Sequence, residues 1–547
     1  MRSIVTPLSL RLSAALGRAR LALRGEHPRH FFDLTDRTRV ARPFAEAGLS
    51  PPDDHELRTA RPLRGELVYE LRDDVRRAIP LALTPAQRGA YLRWFLSHGR
   101  AETDATPADL LRALAGYDAA PDRGLVASYL MHPDWQARCP AALTPGGWGD
   151  FKQWVAAEYR VGGRWLRRAA LPAKYHAPQP TRGFGANVVG LFRYPSGLQQ
   201  AAAAVVEALG AAGVATELRD VPMRHARAER SRAGFDGREP FPVTILNAGL
   251  DLAVPDAYRL AGLHPRAGVY RVAVWWWELD RLPAAWLGRG RDVDEIWAPT
   301  AFVAAALRPL GKPVYPMPPS LELPPFDPLP KAAFGLDPAK FTFLFVFDMN
   351  SRMARKNPLA LVRAFRQAFG PGEPVELALK VSPPEAHYAD NWRALRAACA
   401  GAGVTLIDRA LARGELLALM NAADAYVSLH RSEGFGLTMA EAMLLGKPTA
   451  ATGYSGNVDF MSPANSYLID YTLVPVATPE IAAPPGAVWA EPSVDHAAAV
   501  LREIAGDPAA ARERGRRAQA ELRETLSHRA AGERMAARLR AILGGDR

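Results

Sequence analysis

The chain has 547 residues, of which 48% are hydrophobic and 23% are charged, and at roughly 150 residues per domain this length predicts three to four domains. The composition excludes a globally disordered chain, a collagen-like chain and a disulfide-rich secreted scaffold, and the sequence has no apolar run of the about 18 residues that a membrane-spanning helix needs. With 68 basic and 57 acidic residues, the net charge of +11 favours anionic partners such as phosphorylated substrates, nucleic acid or an acidic membrane surface.

The first 60 residues are rich in arginine and proline and are predicted to be partly irregular. A secretory signal peptide needs an uninterrupted apolar stretch, and Arg11 interrupts the stretch at 4–23. That stretch is typical either of a basic amphipathic helix on an anionic membrane or of a frayed tail. The two cysteines, Cys139 and Cys399, lack metal-ligand spacing and are interpreted as buried thiols of a reducing compartment. We therefore predict a cytoplasmic protein, with peripheral contact at the inner face of a membrane as an alternative.

Residues 61–180 are predicted to form a helical domain. Apolar residues recur at helical spacing in three segments, at 83–99, 106–117 and 148–166. The first two segments begin near a Thr-Pro pair, which is typical of a helix start. The aromatic residues of the third segment are interpreted as core packing.

From residue 185 the pattern changes to short apolar strands that alternate with helices. Strands are predicted at 186–192, 243–247, 272–277 and 294–299, with a helix from Leu198 to Leu209. This alternation indicates a parallel sheet with crossover helices, which we assign to a domain at 181–320. Seven prolines at 316–330 exclude a helix or strand interior, so we place an interdomain linker at 321–335.

A second alternation of strands and helices is assigned to a domain at 336–490. Its strands are predicted at 341–347, 376–382, 404–408, 424–430 and 448–452, and its helices at 357–369 and 438–446. The tail at 491–547 is predicted to be helical, since it is rich in Ala, Arg and Glu. The predicted fold class is α/β, with two Rossmann-like domains facing a cleft and a mostly helical amino-terminal extension.

The strongest indication of chemistry lies between the strand at 424–430 and the helix after it. The loop there contains Glu433, Gly434, Phe435 and Gly436. Ligands bind at the carboxyl ends of strands in open α/β sheets, and glycines let the backbone approach a ligand with amides at a helix amino terminus, which favours phosphate. Glu433 and Glu441 are separated by seven residues. Because carboxylates accept hydrogen bonds from hydroxyl groups, the pair suits a ligand that has a phosphate in the middle and hydroxyl groups at both ends. The alternative for Glu441 is a capping box with Thr438.

A second cluster lies at 347–358, where Asn357 is a predicted helix N-cap. Arg355 and Lys356 then lie just before a helix amino terminus. Two cations at that position are destabilising because they oppose the helix dipole. A bound pyrophosphate would make the same position favourable for them. The alternative is that both charges are exposed and point away from the ligand.

Weaker candidates lie at other strand ends. They are Arg352, Lys380, Gly197, His430, Arg431, the three tryptophans Trp275, Trp276 and Trp277, and Glu278. Lys380 either joins the cleft or is an exposed cation at a strand end. The tryptophans either form a sugar-stacking wall or are buried in a strand, and His430 is either functional or only packed.

The segment HRSEGFGLTMAEAMLLGKPTAATGYSGN, at 430–457, resembles the signature of the retaining glycosyltransferases of family 4, once called group 1, which have the GT-B fold. Their mark is a Glu, seven residues and a second Glu, here Glu433 and Glu441. The segment FDMNSRMARKNP, at 347–358, resembles the phosphate-binding segment of the same family. The stretch that begins WWWELD is similar to a subgroup of mannosyl- and rhamnosyltransferase-like proteins of bacterial surface-polysaccharide synthesis. The resemblance covers about residues 185–500.

The resemblance implies a role for each matching position. The implied donor-binding backbone is that of Gly434, Phe435, Gly436, Leu437 and Thr438, with Lys380 and Gly197 as further donor-side residues. Glu433 contacts the donor sugar near the reacting carbon and, with His430, is predicted to be catalytic. Glu441 holds the ribose hydroxyl groups, and Arg355 and Lys356 neutralise the leaving diphosphate. Trp277 and Glu278 are predicted on the acceptor side. Such enzymes need no metal ion and no cofactor beyond the nucleotide-sugar co-substrate, and we predict none here.

The sequence departs from the family pattern at three places. Asn350-Ser351 stands where many members have Gly-Arg, so the role of that arginine passes to Arg355 or Arg352. The first loop has Pro195-Ser196-Gly197 in place of a run of glycines. The histidine that lines the acceptor site in several relatives has no counterpart.

The sequence thus predicts a glycosyltransferase that moves a sugar, with retention, from a nucleotide-sugar donor to a glycan or lipid-linked acceptor in the synthesis of a surface polysaccharide such as lipopolysaccharide. One alternative is a non-catalytic, transferase-like scaffold or binding protein. Another is a nucleotide-sugar epimerase, which shares the fold but needs no acceptor. Charge alone suggests a nucleic-acid partner, and because no recognition motif accompanies it we predict none.

Overall fold

The computed structural model describes residues 37–60, 68–70, 72–103, 105–119, 121–176, 183–192, 197–221, 239–261, 263, 268–382, 388–401, 403–478, 480–481 and 483–544. The basic stretch predicted at 4–23 lies outside these residues. Contacts divide the chain into two compact units. The first comprises Met1–Gln199, Glu217–Thr244 and Leu252–Val269, and the second comprises Gln200–Thr216, Ile245–Asp251 and Tyr270–Arg547.

The amino-terminal part of the first unit is helical, as the sequence predicts. Its helices are Arg37–Glu46, Asp54–Thr59, Asp73–Ala78, Arg88–Trp94, Arg100–Glu102, Pro107–Ala119, Pro121–Leu130, Pro133–Arg138, Gly147–Glu158 and Arg164–Arg168, with a π-helical turn at Phe95–Gly99 and a 3-10 turn at Ala173–Tyr175. The segment predicted at 148–166 from helical spacing forms two helices, because Arg160 (φ 49°) and Gly163 (φ 116°) turn the chain between them. The prediction that the aromatic residues of this segment pack in a core is confirmed for Phe151 and Trp165, which are buried.

The first sheet has six strands in the order β2-β1-β3-β4-β5-β6. The strands are β1 (Gly185–Gly190), β2 (Ala215–Asp220), β3 (Val243–Asn247), β4 (Tyr270–Val274), β5 (Glu295–Ala298) and β6 (Val314–Pro316), and the helices between them are α1 (Gly197–Ala211), α2 (Val254–Ala261) and α3 (Ala301–Leu307). Strands β4, β5 and β6 run parallel. The strand predicted at 272–277 is too long, because the backbone leaves the sheet after Val274 and the carbonyl of Glu278 accepts a hydrogen bond from the Ser432 hydroxyl.

Strand β6 ends at Pro316, the first residue of the proline-rich segment predicted at 316–330, and the remaining residues 317–330 contain no helix or strand. Short 3-10 helices flank or follow the strands at Ala284–Asp292, Arg308–Leu310, Lys331–Phe334, Met349–Ser351 and Gly456–Asp459.

The second sheet also has six strands, in the order β12-β11-β10-β7-β8-β9, and all of its pairings are parallel. Its strands are β7 (Phe341–Asp348), β8 (Val375–Ser382), β9 (Val404–Ile407), β10 (Ala425–Ser428), β11 (Thr449–Thr452) and β12 (Tyr467–Ile469), and its helices are α4 (Met353–Lys356), α5 (Pro358–Ala368), α6 (Ala389–Cys399), α7 (Arg413–Ala422) and α8 (Leu437–Leu444). Because β11, β10 and β7 are neighbours, the loops that follow them meet at one edge of the sheet.

An antiparallel hairpin and a helical tail complete the second unit. The hairpin is formed by β13 (Tyr471–Pro475) and β14 (Val488–Pro492), and the tail by α9 (Val494–Gly506), α10 (Pro508–Thr525) and α11 (His528–Gly544). The tail was predicted from composition, whereas the hairpin was not predicted. Two six-stranded α/β sheets with a helical amino-terminal region confirm the predicted fold class.

Candidate active site

Glu433 lies in the loop after β10 and contacts Arg355 and Lys356 at the end of α4. Its carboxylate accepts hydrogen bonds from Arg355 Nη1 at 3.0 Å and from Lys356 Nζ. Arg355 also donates to the backbone carbonyl of Ser432 at 3.0 Å. The structure thus brings together the three residues that the sequence placed at one ligand site, and the alternative in which the two cations point away is wrong.

Burial and charge act in opposite directions on these groups. Burial opposes ionisation of Glu433, but Lys356 and Arg355 outweigh it and lower the pKa of Glu433 to about 2. Burial lowers the pKa of Lys356, and Glu433 offsets only part of this effect. For Arg355, burial is outweighed by the carboxylates of Glu433 and Glu278, which raise its pKa. The buried carboxylate of Glu433 therefore balances the charge of the two cations.

The segment after β4 lies against the Glu433 loop. Glu278 Oε1 is 3.7 Å from Arg355 Nη2, and the side chain of Glu278 is 43% exposed. A Cβ atom on Gly434 would lie 2.9 Å from the backbone oxygen of Trp277, so glycine is required for this close approach. The structure places Glu278 at the same guanidinium as Glu433, on the solvent side.

The three tryptophans do not form one wall. Trp275 is buried in the core, which contradicts a sugar-stacking role for it. Trp276 contacts the buried ring of Phe435 edge-on, with ring centroids 6.4 Å apart. Trp277 packs edge-on against Trp286 at 5.1 Å, and its indole N–H donates to the carbonyl of Arg281 at 2.9 Å.

The backbone of the Glu433 loop is held from two sides. The N–H of Glu433 donates to the Ser455 hydroxyl at 2.8 Å, and its carbonyl accepts from the N–H of Gly456 at 2.9 Å. The carbonyl of Gly434 accepts from the Thr300 hydroxyl at 2.9 Å. Gly436 then adopts the left-handed conformation with φ 102° and serves as the N-cap of α8. The helix therefore begins at Leu437, and its first amides follow the carboxylate loop directly.

Glu441 points from α8 to α7. Its Oε1 accepts a hydrogen bond from Arg413 Nη2 at 2.6 Å, and its side chain is 2% exposed. Burial raises the pKa of Glu441, although Arg413 opposes this effect. The capping-box alternative is wrong because Gly436 occupies the N-cap position, and the Thr438 hydroxyl bonds to that of Tyr426 at 2.8 Å.

His430 is fully buried, and both of its ring nitrogens have protein partners. Nδ1 is 3.2 Å from the Ser428 hydroxyl, and Nε2 is 3.0 Å from Asn457 Oδ1 and 3.3 Å from the carbonyl of Tyr454. Two acceptors at Nε2 require the proton on that nitrogen, and burial lowers the pKa of His430. A neutral His430 thus joins the loops after β10 and β11, and its predicted catalytic role stays a prediction.

Lys380 and Arg352 contact residues other than Glu433. Lys380 is buried on β8 and donates to the carbonyl of Val381 at 3.1 Å, so its interpretation as an exposed cation is wrong. Burial lowers the pKa of Lys380. Arg352 donates to the Tyr388 hydroxyl at 2.9 Å. Of the two arginines that the sequence left open, Arg355 is the one at Glu433.

Asn357 and Gly197 are two further residues that the sequence analysis named. Asn357 occupies the N-cap position of α5, but with φ 53° and no hydrogen bond from its side chain to the helix. Gly197 is the first residue of α1, within the first unit. Its predicted donor contact stays a prediction.

Arg413, Ser455 and Asn457 contact the predicted site residues but were not assigned a role from the sequence. Ser455 and Asn457 follow β11, and Arg413 begins the helix after β9. A position beyond the carboxyl end of a strand is the signal that could have found all three, since the strand order then brings those loops to the same edge.

Among the residues that the structure describes, no cluster of three or more His, Cys, Asp or Glu side chains is arranged to hold a metal ion. The sequence Asp292-Val293-Asp294 precedes β5. The carboxylate of Asp294 accepts a hydrogen bond from the backbone N–H of Arg271 at 2.7 Å. Within the same described ranges, every helix is too short or too polar to cross a membrane.

Residues 307–535 match the family model described as family 4 glycosyltransferase in conflict systems. This part of the chain is similar to family 4 glycosyltransferases. It contains Arg355, Lys356, Glu433 and Glu441, the residues on which the resemblance in the sequence depends. No curated protein matches the chain.

Several solved structures align with this chain. Sucrose-phosphate synthase from Thermosynechococcus elongatus aligns with a TM-score of 0.50 at 17% identity, over 66% of this chain and 100% of its own. HepE from Anabaena, solved with UDP and glucose, aligns with a TM-score of 0.43 at 14% identity, over 66% and 100%. TarM from S. aureus aligns with a TM-score of 0.40 at 12% identity, over 54% and 55%. At such low identity the likeness to the synthase concerns the fold alone, and it confirms the predicted GT-B fold.

Proposed function

We propose that this GT-B protein is a glycosyltransferase that moves a sugar from a nucleotide-sugar donor to a hydroxyl-bearing acceptor. The observation that carries the proposal is the contact of Glu433 with both Arg355 and Lys356, immediately before the amino terminus of α8. A bound diphosphate would supply these cations with the negative charge that Glu433 otherwise gives them. The released carboxylate then accepts hydrogen bonds from the hydroxyl groups of the donor sugar.

The proposed reaction breaks the bond between the anomeric carbon of the sugar and the diphosphate oxygen. That oxygen keeps the electron pair, and the acceptor oxygen forms the new bond to the anomeric carbon. Arg355, Lys356 and the first amides of α8 stabilise the charge that develops on the leaving diphosphate. In the retaining course that we propose, the acceptor proton passes to this oxygen on the same face of the sugar. These cations perform the task that a metal ion has in other transferases, so we propose a metal-independent reaction.

While it is paired with Lys356 and Arg355, Glu433 is ionised, since these cations lower its pKa to about 2. Its charge also stabilises the positive charge that develops on the sugar ring. Glu441 binds the ribose hydroxyl groups at the other end of the diphosphate. His430 keeps the loops after β10 and β11 together through Ser428 and Asn457, which supports its assignment as a positioning residue.

Glu278 and Trp277 are proposed to contact the acceptor. The support is that the Glu278 carboxylate reaches solvent beside Arg355, whereas Glu433 lies deeper at the same guanidinium. A carboxylate there accepts hydrogen bonds from hydroxyl groups of a glycan or of a lipid-linked sugar. A role in surface-polysaccharide synthesis, with mannose or rhamnose as the transferred sugar, belongs to this proposal and rests on the resemblance of the WWWELD stretch.

The first test is thermal unfolding of the full chain with UDP-, GDP-, ADP- and dTDP-sugars. A donor at 100 times its Kd stabilises the protein by about 2.7 kcal/mol. We expect a shift with one donor class that is lost in Lys356→Ala and kept in Lys340→Ala, because Lys340 is exposed and pairs with Asp337 at the surface. The protein is then incubated with the donor that binds and with candidate acceptors. NMR of the product reports retention or inversion at the anomeric carbon.

Each outcome separates the alternatives. Absence of a shift with every nucleotide sugar contradicts the proposal. Binding without transfer to any acceptor favours a non-catalytic scaffold, and conversion of the donor to its epimer without an acceptor favours an epimerase. Transfer that survives in Glu433→Ala overturns the role given to Glu433.

A further inference from the structure

Glu441 and Arg413 form a second buried contact, separate from the one at Glu433. Arg413 is the first residue of α7, and a cation at a helix amino terminus opposes the helix dipole. Its guanidinium nevertheless lies 2.6 Å from Glu441 Oε1. The side chain of Arg413 is 32% exposed, whereas that of Glu441 is 2% exposed. The cation therefore reaches from the surface to a carboxylate in the interior.

Only one of the two carboxylate oxygens of Glu441 is used. Oε1 accepts from Arg413, and within the part of the chain that the structure describes no residue donates to Oε2. A carboxylate has about four acceptor positions, so Glu441 keeps most of its hydrogen-bonding capacity. If it were protonated, it would present a donor in place of one acceptor.

We propose that Arg413 is a positioning residue for the nucleoside end of the donor: it keeps Glu441 a carboxylate, so that Oε2 accepts hydrogen bonds from the 2′- and 3′-hydroxyl groups of the ribose. This inference rests on the proposed function. It adds a specificity-determining residue outside the signature formed by Glu433 and Glu441. The preference for ribose over deoxyribose then depends on Arg413.

The groups that face Glu441 support this assignment. Arg413 comes from α7, and Tyr426 comes from β10, where its hydroxyl bonds to that of Thr438. Burial, and then the charges of Glu441 and Glu433, raise the pKa of Tyr426, so its phenol stays neutral across the working pH range. Burial raises the pKa of Glu441 and Arg413 opposes it. Arg413 is thus the charged group that opposes protonation of Glu441.

The experiment measures nucleotide affinity of the full chain by calorimetry between pH 6 and pH 9. The probes are UDP, GDP and ADP, followed by the 2′-deoxy form of whichever binds best. The variants are Arg413→Gln, Arg413→Lys and Glu441→Gln. Arg409→Gln is the matched control, because Arg409 precedes the same helix and pairs with Glu415 rather than Glu441. It removes one positive charge from the same segment without removing the partner of Glu441.

We expect Arg413→Gln to weaken binding about tenfold at pH 6 and progressively less as the pH rises, because a higher pH favours the ionised form of Glu441. We expect its preference for the ribose form to disappear at pH 6 and to return at pH 9. Arg413→Lys retains most of the affinity, Arg409→Gln follows the wild type, and Glu441→Gln is weak at every pH.

A variant Arg413→Gln that binds with the affinity, the ribose preference and the pH profile of the wild type overturns the inference. So does a loss that is equal at every pH, since a merely structural role predicts it. If Arg413→Gln does not fold, the ribose preference and pH profile of Arg413→Lys decide, because a lysine at this position preserves the charge. If the wild type binds no nucleotide, the proposed function fails first and this inference fails with it.

Discussion

The backbone N–H of Glu433 donates to the hydroxyl of Ser455 over 2.8 Å, although the two residues are 22 positions apart in the chain. Ser455 adopts φ 75° and ψ −147°, a conformation that residues other than glycine rarely adopt and that costs about 1–3 kcal/mol. The same hydroxyl donates to the carbonyl of Tyr454. The fold therefore holds a strained serine where its hydroxyl fixes the backbone of the carboxylate that we place at the donor sugar.

Ser455→Ala is expected to lower the free energy of unfolding by about 1–3 kcal/mol, because the buried N–H of Glu433 loses its acceptor while the strained backbone remains. Ser455→Gly removes the same hydroxyl but relieves the strain, so it is expected to be the more stable of the two variants. Urea denaturation measures both, and KM for the donor is expected to rise in both. An alanine variant as stable as the glycine variant would show that the strain at Ser455 is not significant.

Glu433→Gln is expected to separate nucleotide binding from transfer. The neutral amide no longer neutralises Arg355 and Lys356, so the affinity for a nucleoside diphosphate is expected to rise. Transfer is expected to fall by about 10²–10³-fold, the cost of losing one group that stabilises transition-state charge. Calorimetry and a transfer assay measure the two effects. Glu373→Gln is the control, because Glu373 pairs with Arg502 at the surface and should leave both values unchanged.

Gly456→Ala is expected to disrupt the same loop by steric contact. A Cβ atom on Gly456 would lie 2.2 Å from the carbonyl oxygen of Gly434, so one of the two loops must move. We expect a loss of about 1–3 kcal/mol in stability and the loss of transfer. Gly210→Ala in α1 is the matched control, because no atom lies within 4 Å of a Cβ there and alanine in a helix stabilises by about 0.8–1 kcal/mol. Equal stabilities for the two variants would contradict the close packing of Gly434 and Gly456.

The pH dependence of stability follows from the pKa of Glu433, which is lowered from 4.5 to about 2 in the folded protein. Because the folded pKa is depressed, this group stabilises the folded state above pH 4.5 and loses that contribution as the pH falls towards 2. The contribution is about 3 kcal/mol. We expect the free energy of unfolding of the wild type to decline over this interval, and that of Glu433→Gln to decline less. Parallel curves for the two proteins between pH 4.5 and 2 would show that Glu433 is not the titrating group.

Much of the fold was predictable from local patterns. The strand at 341–347 and the helix at 357–369 agree with β7 and α5 to within one residue at each end, because a buried parallel strand is continuously apolar and an amphipathic helix has a regular period. The pattern failed at 272–277, where apolar tryptophans continue past the end of β4. Apolar character reports burial, and Trp275 is buried, but it does not report where the backbone leaves the sheet.

The sequence by itself determined that Glu433 and Glu441 lie on one strand-loop-helix unit and that Arg355 and Lys356 precede a helix, because each of these groups is local in the chain. It left open whether Arg352 or Arg355 takes the role of the family's Gly-Arg arginine, whether Lys380 is exposed and whether Glu441 only caps its helix. Tertiary structure decided the last two, placed Arg355 at Glu433, and formed the contacts of Glu433 with Ser455 and of Glu441 with Arg413. Those contacts join loops that follow β7, β9, β10 and β11. The physical reason is that hydrophobic periodicity specifies only which residues are buried in each strand. The order in which the strands pair depends on interactions between distant parts of the chain, and it is this order that brings their loops to a common edge.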